Sequence, residues 1–185
     1  MVCQLNFTQA LKDSLTNNRK NSREEGIFYL PHILVFFIII LFLYMIYPIK
    51  VLEISNYPDN EVLQYFSINN NSYIGVIYTH SVEKTETSEW YKINNDKIIL
   101  MEQRFKSQGA GLPSDSLYDF EKYKDGYRLY NINKEMKDII YRTGRVVANH
   151  KLDIDGKEYN FREFSSPGEA IIFRIKNISR YKVFI

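Results

Sequence analysis

The sequence predicts a mainly β chain, with one N-terminal transmembrane helix followed by an antiparallel β-sandwich or barrel domain. Three observations carry that reading. A run of 21 residues, Ile27 to Tyr47, contains no Asp, Glu, Lys or Arg. Beyond it, apolar and polar residues alternate with period two between turn residues that recur about every 8 to 15 positions. The 15 Tyr and 12 Phe supply aromatic side chains that suit a pleated, half-buried surface. The 24 Lys+Arg against 22 Asp+Glu leave a net charge of +2 over 185 residues, which gives no electrostatic footprint for nucleic acid. One cysteine forms neither an internal disulfide nor a zinc cage.

The organisation follows in chain order as an arm over residues 1–26, the helix over 27–48 and an outside β-domain over 49–185. The arm carries four bases and three acids, and Phe7, Leu11 and Leu15 lie at helical spacing before a polar string. At about 1.5 Å per residue the charge-free run spans about 30 Å, the hydrocarbon thickness of a bilayer. A buried core helix would need polar positions at helical spacing, and the central part of this run has none. Pro31 and His32 fall in the first turns, where a missing amide donor is tolerated, and Tyr29, Tyr44 and Tyr47 suit the interfaces. Lys12, Arg19, Lys20 and Arg23 precede the run and only Lys50 follows closely, so the N-terminus is predicted inside and the C-terminal domain outside the cell membrane. Tyr47-Pro48-Ile49-Lys50 offers no small-residue cleavage site, so the segment is predicted to remain as an anchor. Cys3 then falls on the reducing side.

The outside domain, about 135 residues, is long enough for one core. Strands are expected over 62–68, 73–82, 89–93 and 97–105, with turns at Asn69-Asn70-Asn71-Ser72 and Asn94-Asn95-Asp96. Further strands are expected over 127–132, 145–154, 157–164, 170–175 and 181–185, with 145–154 and 157–164 joined by the hairpin dipeptide Asp155-Gly156. Helical turns are expected at 114–123 and 133–140, where Ser114 and Asn133 could serve as N-caps. Alternation in the 73–81 segment puts Ile74, Val76, Tyr78 and His80 on one face and Ser81 on the other. Adjacent His80 and Ser81 therefore do not form a nucleophile–base pair in a regular strand.

Two segments could carry chemistry. Thr79 to Trp90 gathers one imidazole, three carboxylates and several hydroxyls at a strand connection. It fits a metal site from His80, Glu83 and Glu89, a polar pocket reading amines or hydroxyls, or a solvated hairpin. A metal would need a second nitrogen or more carboxylates, and nothing in the sequence places His150 nearby. The second segment, Phe105-Lys106-Ser107-Gln108-Gly109-Ala110-Gly111-Leu112-Pro113, can fold its amides into an anion-binding nest, or simply turn the chain. It lacks the spacing of a nucleotide loop. The triplets Asn70-Asn71-Ser72 and Asn177-Ile178-Ser179 have the form of glycosylation acceptors.

These same residues carry a family resemblance. Tyr78-Thr79-His80-Ser81-Val82-Glu83, Glu89-Trp90-Tyr91 and Phe105-Lys106-Ser107-Gln108-Gly109-Ala110-Gly111-Leu112-Pro113 are similar to the pattern Y-x-HSVE, E-x-[YW], F-x-S-x-GAGLP of the uncharacterised domain family numbered eighteen-fifty. The segment Thr143 to Leu152 with Asp155-Gly156 also resembles its second half, so the likeness runs over about residues 52–179. It implies a small bacterial protein with an N-terminal membrane segment and no assigned activity, encoded beside permeases of TAXI-type TRAP transporters. The expectation is an accessory protein, not an enzyme, whose outside domain docks on the permease or its external solute-binding protein. An independent small-ligand or envelope-binding module is the alternative. Neither a metal nor a cofactor is expected. The candidate binding residues are His80, Ser81, Glu83, Glu89, Ser107, Gly109, Ala110, Gly111, Leu112 and Pro113.

Overall fold

The computed structural model describes residues 31–80, 83–106, 117–144 and 149–184. The chain divides into two compact units, Met1–Tyr47 and Pro48–Ile185. In the first, residues 31–46 form an α-helix. Its large apolar side chains, Ile33 to Leu43 among them, are exposed. Sixteen residues rise about 24 Å, and among the described residues no helix is long and apolar enough to cross a membrane. Residues 27–30 of the expected span lie outside the described residues.

The second unit is mainly β and antiparallel throughout. Its strands are β1 (Pro48–Tyr57), β2 (Val62–Ser67), β3 (Tyr73–Thr79), β4 (Glu86–Asn94), β5 (Lys97–Phe105) and β6 (Asp119–Tyr123). After them come β7 (Gly126–Tyr130), β8 (Lys134–Met136), β9 (Asp138–Arg142), β10 (Lys151–Ile154), β11 (Lys157–Asn160) and β12 (Ala170–Ser179). One sheet has the order β2-β1-β12-β9 and the other β11-β10-β3-β4-β5-β7-β6, with β8 also pairing on β5. Both orders are open, with β2, β9, β11 and β6 at the edges, so the closed-barrel alternative is corrected. The two sheets share one core: Leu52, Ile54, Ile139, Ile171 and Phe173 come from the first, and Ile74, Val76, Tyr91, Ile93, Ile98, Leu129 and Leu152 from the second. Burial of these side chains is the main favourable term holding the sheets together.

Turn chemistry accounts for the hairpins. Asp155 and Gly156 both have positive φ, +52° and +90°, and Ile154 pairs with Lys157 across them, which is the backbone a two-residue hairpin needs. Asn95 (φ 54°) makes the corresponding turn between β4 and β5, and Lys124 (φ 53°) the one between β6 and β7.

Several expected elements are corrected. The expected helical turn at 114–123 is, over its described end, strand β6, and that at 133–140 is β8 followed by β9. The latter two pair with β5 of one sheet and β12 of the other, so the chain changes sheets within a few residues and leaves no segment long enough to show a period. The expected strand at 181–185 is a 3-10 helix over Arg180–Phe184, and the one over 157–164 ends at Asn160, where a 3-10 turn, Phe161–Glu163, takes over. In that turn the Glu163 carboxylate accepts from the Asn160 amide at 3.1 Å. The expected strand 145–154 is described only from 149, and over the described residues it is β10, Lys151–Ile154.

Candidate functional site

The β3–β4 hairpin settles where the first candidate residues stand. Register pairs Ile74 with Tyr91, Val76 with Glu89 and Thr79 with Glu86, so Glu89 and Tyr91 share the core-facing side with Ile74 and Val76, and Trp90 points the other way. Across the core, β9 supplies Tyr141. The Tyr91 hydroxyl donates to Glu89 Oε2 at 2.7 Å, and Tyr141 donates to the same oxygen. The two hydroxyls stand 2.6 Å apart. Gln103 Nε2 on β5 donates to Glu89 Oε1 at 3.0 Å. Two phenolic protons thus serve three oxygen–oxygen contacts, and both carboxylate oxygens are occupied.

Burial, followed by the charge of Glu89, raises the Tyr91 hydroxyl well above its ordinary pKa. Burial, then Tyr91 and Glu89, does the same for Tyr141. Tyr78 is pushed up to about 12 by burial and then by Glu89. Its ring stacks on buried His150 at 5.1 Å, and Tyr141 meets the same imidazole edge-on at 6.3 Å. His150 thus sits in an aromatic environment beside the Glu89 group, which the sequence had no means of placing.

His80 lies elsewhere. The strand ends at Thr79, and His80 opens the turn: its amide donates to Thr85 O at 2.8 Å, its carbonyl accepts from Lys84 N at 2.9 Å, and its Nδ1 accepts from the Glu83 amide at 3.3 Å. Lys84 takes positive φ to close the loop. Glu89 pairs with Val76, four residues back along β3, so about 13 Å of strand separates it from His80. The structure therefore does not bring His80 and Glu89 together as joint polar readers. Among the described residues no group of three His, Cys, Asp or Glu could hold a metal ion. Ser81, Ser107, Gly109, Ala110, Gly111, Leu112 and Pro113 lie outside the described residues.

The outward face of the larger sheet carries a second constellation, absent from the sequence expectations. The Trp90 ring lies over Gly75, where a Cβ would fall 2.7 Å from it. Tyr73 stacks on that ring at 5.5 Å, and the indole Nε1 of Trp90 donates to Ser88 Oγ at 3.0 Å. The Arg104 guanidinium sits 4.5 Å from the Trp90 ring centre and 5.1 Å from that of Tyr123. Glu102, only 7% exposed, accepts from Arg104 Nε at 2.7 Å and from its Nη2, and from Arg128 Nη1 at 3.2 Å. Arg128 continues to Glu121 at 2.6 Å and stacks on Tyr123 and Tyr130. A buried carboxylate holding two guanidiniums fixes both over their aromatic partners. Beside this ladder opens a cleft of about 130 Å³ whose lining includes Trp90, Arg104, Tyr123, Lys106 and Lys124. The signal was present as i, i+2 pairs, Glu102 with Arg104, Glu121 with Tyr123 and Arg128 with Tyr130, which share a face in any strand.

Residues 74–161 match the family model of a domain of unknown function, DUF1850. That segment runs from β3 to the Phe161 turn and holds Glu89, Tyr91, Tyr141, Trp90 and Arg104, whereas β1, β2, β12 and the apolar helix lie outside it. Neither curated proteins nor solved structures give a match.

Proposed function

We propose that this chain is a single-pass, membrane-anchored accessory protein whose outward β unit assists a TAXI-type TRAP solute transporter by docking on the permease or its solute-binding protein. The observation that carries the anchor is the exposed apolar helix over 31–46 within the charge-free run Ile27 to Tyr47. Such a surface costs free energy in water at about 25 cal/mol per Å², and a bilayer relieves it. The basic residues before the run support an inside N-terminus. The transporter role rests on what the resemblance over about residues 52–179 implies, that such proteins are encoded beside TAXI-type TRAP permeases, whereas the 74–161 match itself is to a domain of unknown function.

No reaction is assigned. Both oxygens of Glu89 are engaged by Tyr91, Tyr141 and Gln103, and His80 Nδ1 is engaged by a backbone amide. These contacts support reading the two residues as structural members of the β unit. A second reading, an independent small-ligand or envelope-binding module, is favoured by the cleft beside Trp90.

Purification of the full chain from its native membrane in mild detergent, with mass spectrometry of what accompanies it, separates the two. The accessory reading expects a permease or its external binding protein in stoichiometric yield. Repeated recovery of the chain alone would remove that reading and leave the free-standing module.

A further inference from the structure

The cleft on the outward face is built around one arginine whose hydrogen-bonding edges are divided. Glu102 Oε1 takes Arg104 Nε and Nη2, the side edge of the guanidinium. Nη1 makes no hydrogen bond to any of the described residues. With five donors in a fixed fork, the end edge formed by Nη1 and the second proton of Nη2 remains available for a planar, two-oxygen acceptor. The guanidinium is held in place from below by the buried Glu102 carboxylate and from the sides by Trp90 and Tyr123. It is therefore pre-organised, and little side-chain entropy is lost when it binds.

The remaining surroundings select what accompanies the two oxygens. Ile77 and the Trp90 indole give the cleft an apolar side, and Lys124, 5.4 Å from the Tyr123 ring centre, adds a second cation at the rim. Lys106 is already paired with Asp125 at 2.7 Å, and Glu86 is the other carboxylate of the lining. A cavity of about 150 Å³ takes a benzene ring, so the cleft, at about 130 Å³ and open to solvent, covers part of such a ring and leaves the rest outside its mouth.

The geometry points to a binding site for a small carboxylate carrying a flat apolar group, with Arg104 receiving the carboxylate end-on and Trp90 receiving the apolar face. The site does not depend on the transporter reading, since its parts lie wholly on β3 to β7 and their turns.

Trp90 is the chain's single tryptophan, so its fluorescence reports the cleft directly. The full chain in mild detergent is titrated with benzoate, with benzamide as the uncharged analogue of the same shape, and with inorganic phosphate as a non-planar anion. The inference expects a saturable benzoate signal, with benzamide and phosphate each at least tenfold weaker. It also expects at least a tenfold loss for R104K, which keeps the charge and removes the fork, in a variant whose circular dichroism and melting match the parent. The comparison of benzoate with benzamide needs no variant and stands if R104K fails to fold. Absence of a saturable benzoate signal, equal binding of benzoate and benzamide, or competition by phosphate as strong as by benzoate would overturn the assignment. Because the readout is direct ligand binding, its failure leaves the pull-down result untouched.

Discussion

At the scale of single residues, two kinds of wiring hold the β unit's polar groups. The Tyr141 hydroxyl reaches across the core to the Glu89 carboxylate, and a hydrogen bond to a charged acceptor contributes more than a neutral one. Tyr141→Phe is expected to lower stability by about 1–2 kcal/mol in chemical denaturation without changing the β signature in circular dichroism. The alkaline limb has a defined sign. Tyr91 and Tyr141 have folded pKa values raised above the ordinary 10.0, so the folded state favours their protonated forms. Their contribution is fully present below pH 10 and is lost as the pH climbs from there towards the folded values. Unfolding measured at pH 8 and pH 11 should therefore show a drop of order 1 kcal/mol for each of these phenols at the higher pH, and a flat profile between those values would refute the raised pKa assignments. Gly75 works by space alone. Gly75→Ala sets a methyl group against the Trp90 ring, with an expected cost of about 1–3 kcal/mol and a shift in tryptophan emission.

At the scale of elements, a second glycine makes the contrast. A methyl group on Gly156 would meet nothing within 4 Å, but the backbone there has a φ of +90°. Gly156→Ala is therefore expected to cost about 1–2 kcal/mol through backbone strain while leaving Trp90 emission unmoved. The Asp155-Gly156 hairpin and the strand from Lys97 to Phe105 were legible because turn residues and alternation agree there. Strand β1 was not. Val51 and Leu52 are both buried, as are Ile54 and Ser55, so consecutive residues face inward on both sides and no period of two survives. Its partner β12, whose Ser179 pairs with Pro48 and Ala170 with Tyr57, joins positions more than a hundred residues apart, a pairing that local signals do not encode. The candidate site was half legible. Glu89 and Tyr91 share a face by spacing alone, but Tyr141 arrives from the other sheet and His150 from a connection after it. His80 continues the β3 face in the alternation pattern because nothing in Thr79-His80 announces that the strand stops. Among core positions, Ile171→Ala on β12 should cost about 2–5 kcal/mol and lower the melting temperature of the whole β unit, since Ile171 is fully buried.

At the scale of the whole molecule, a β unit with its own two-sheet core follows an exposed apolar helix. Both functional readings share one premise, that the run Ile27 to Tyr47 stays in the membrane with the β unit outside. The sequence supplies its own probe, because Cys3 is the only cysteine. Sealed spheroplasts carrying the full chain can be treated with a membrane-impermeant maleimide before and after lysis, in parallel with a Cys3→Ser, Asn95→Cys variant whose new thiol sits in the exposed β4–β5 turn. The anchored account predicts that Cys3 reacts only after lysis, that the Asn95→Cys thiol reacts in sealed cells, and that both chains stay with the membrane after alkaline carbonate. Labelling of Cys3 in sealed cells, protection of the Asn95→Cys thiol, or release of the chain by carbonate would contradict it.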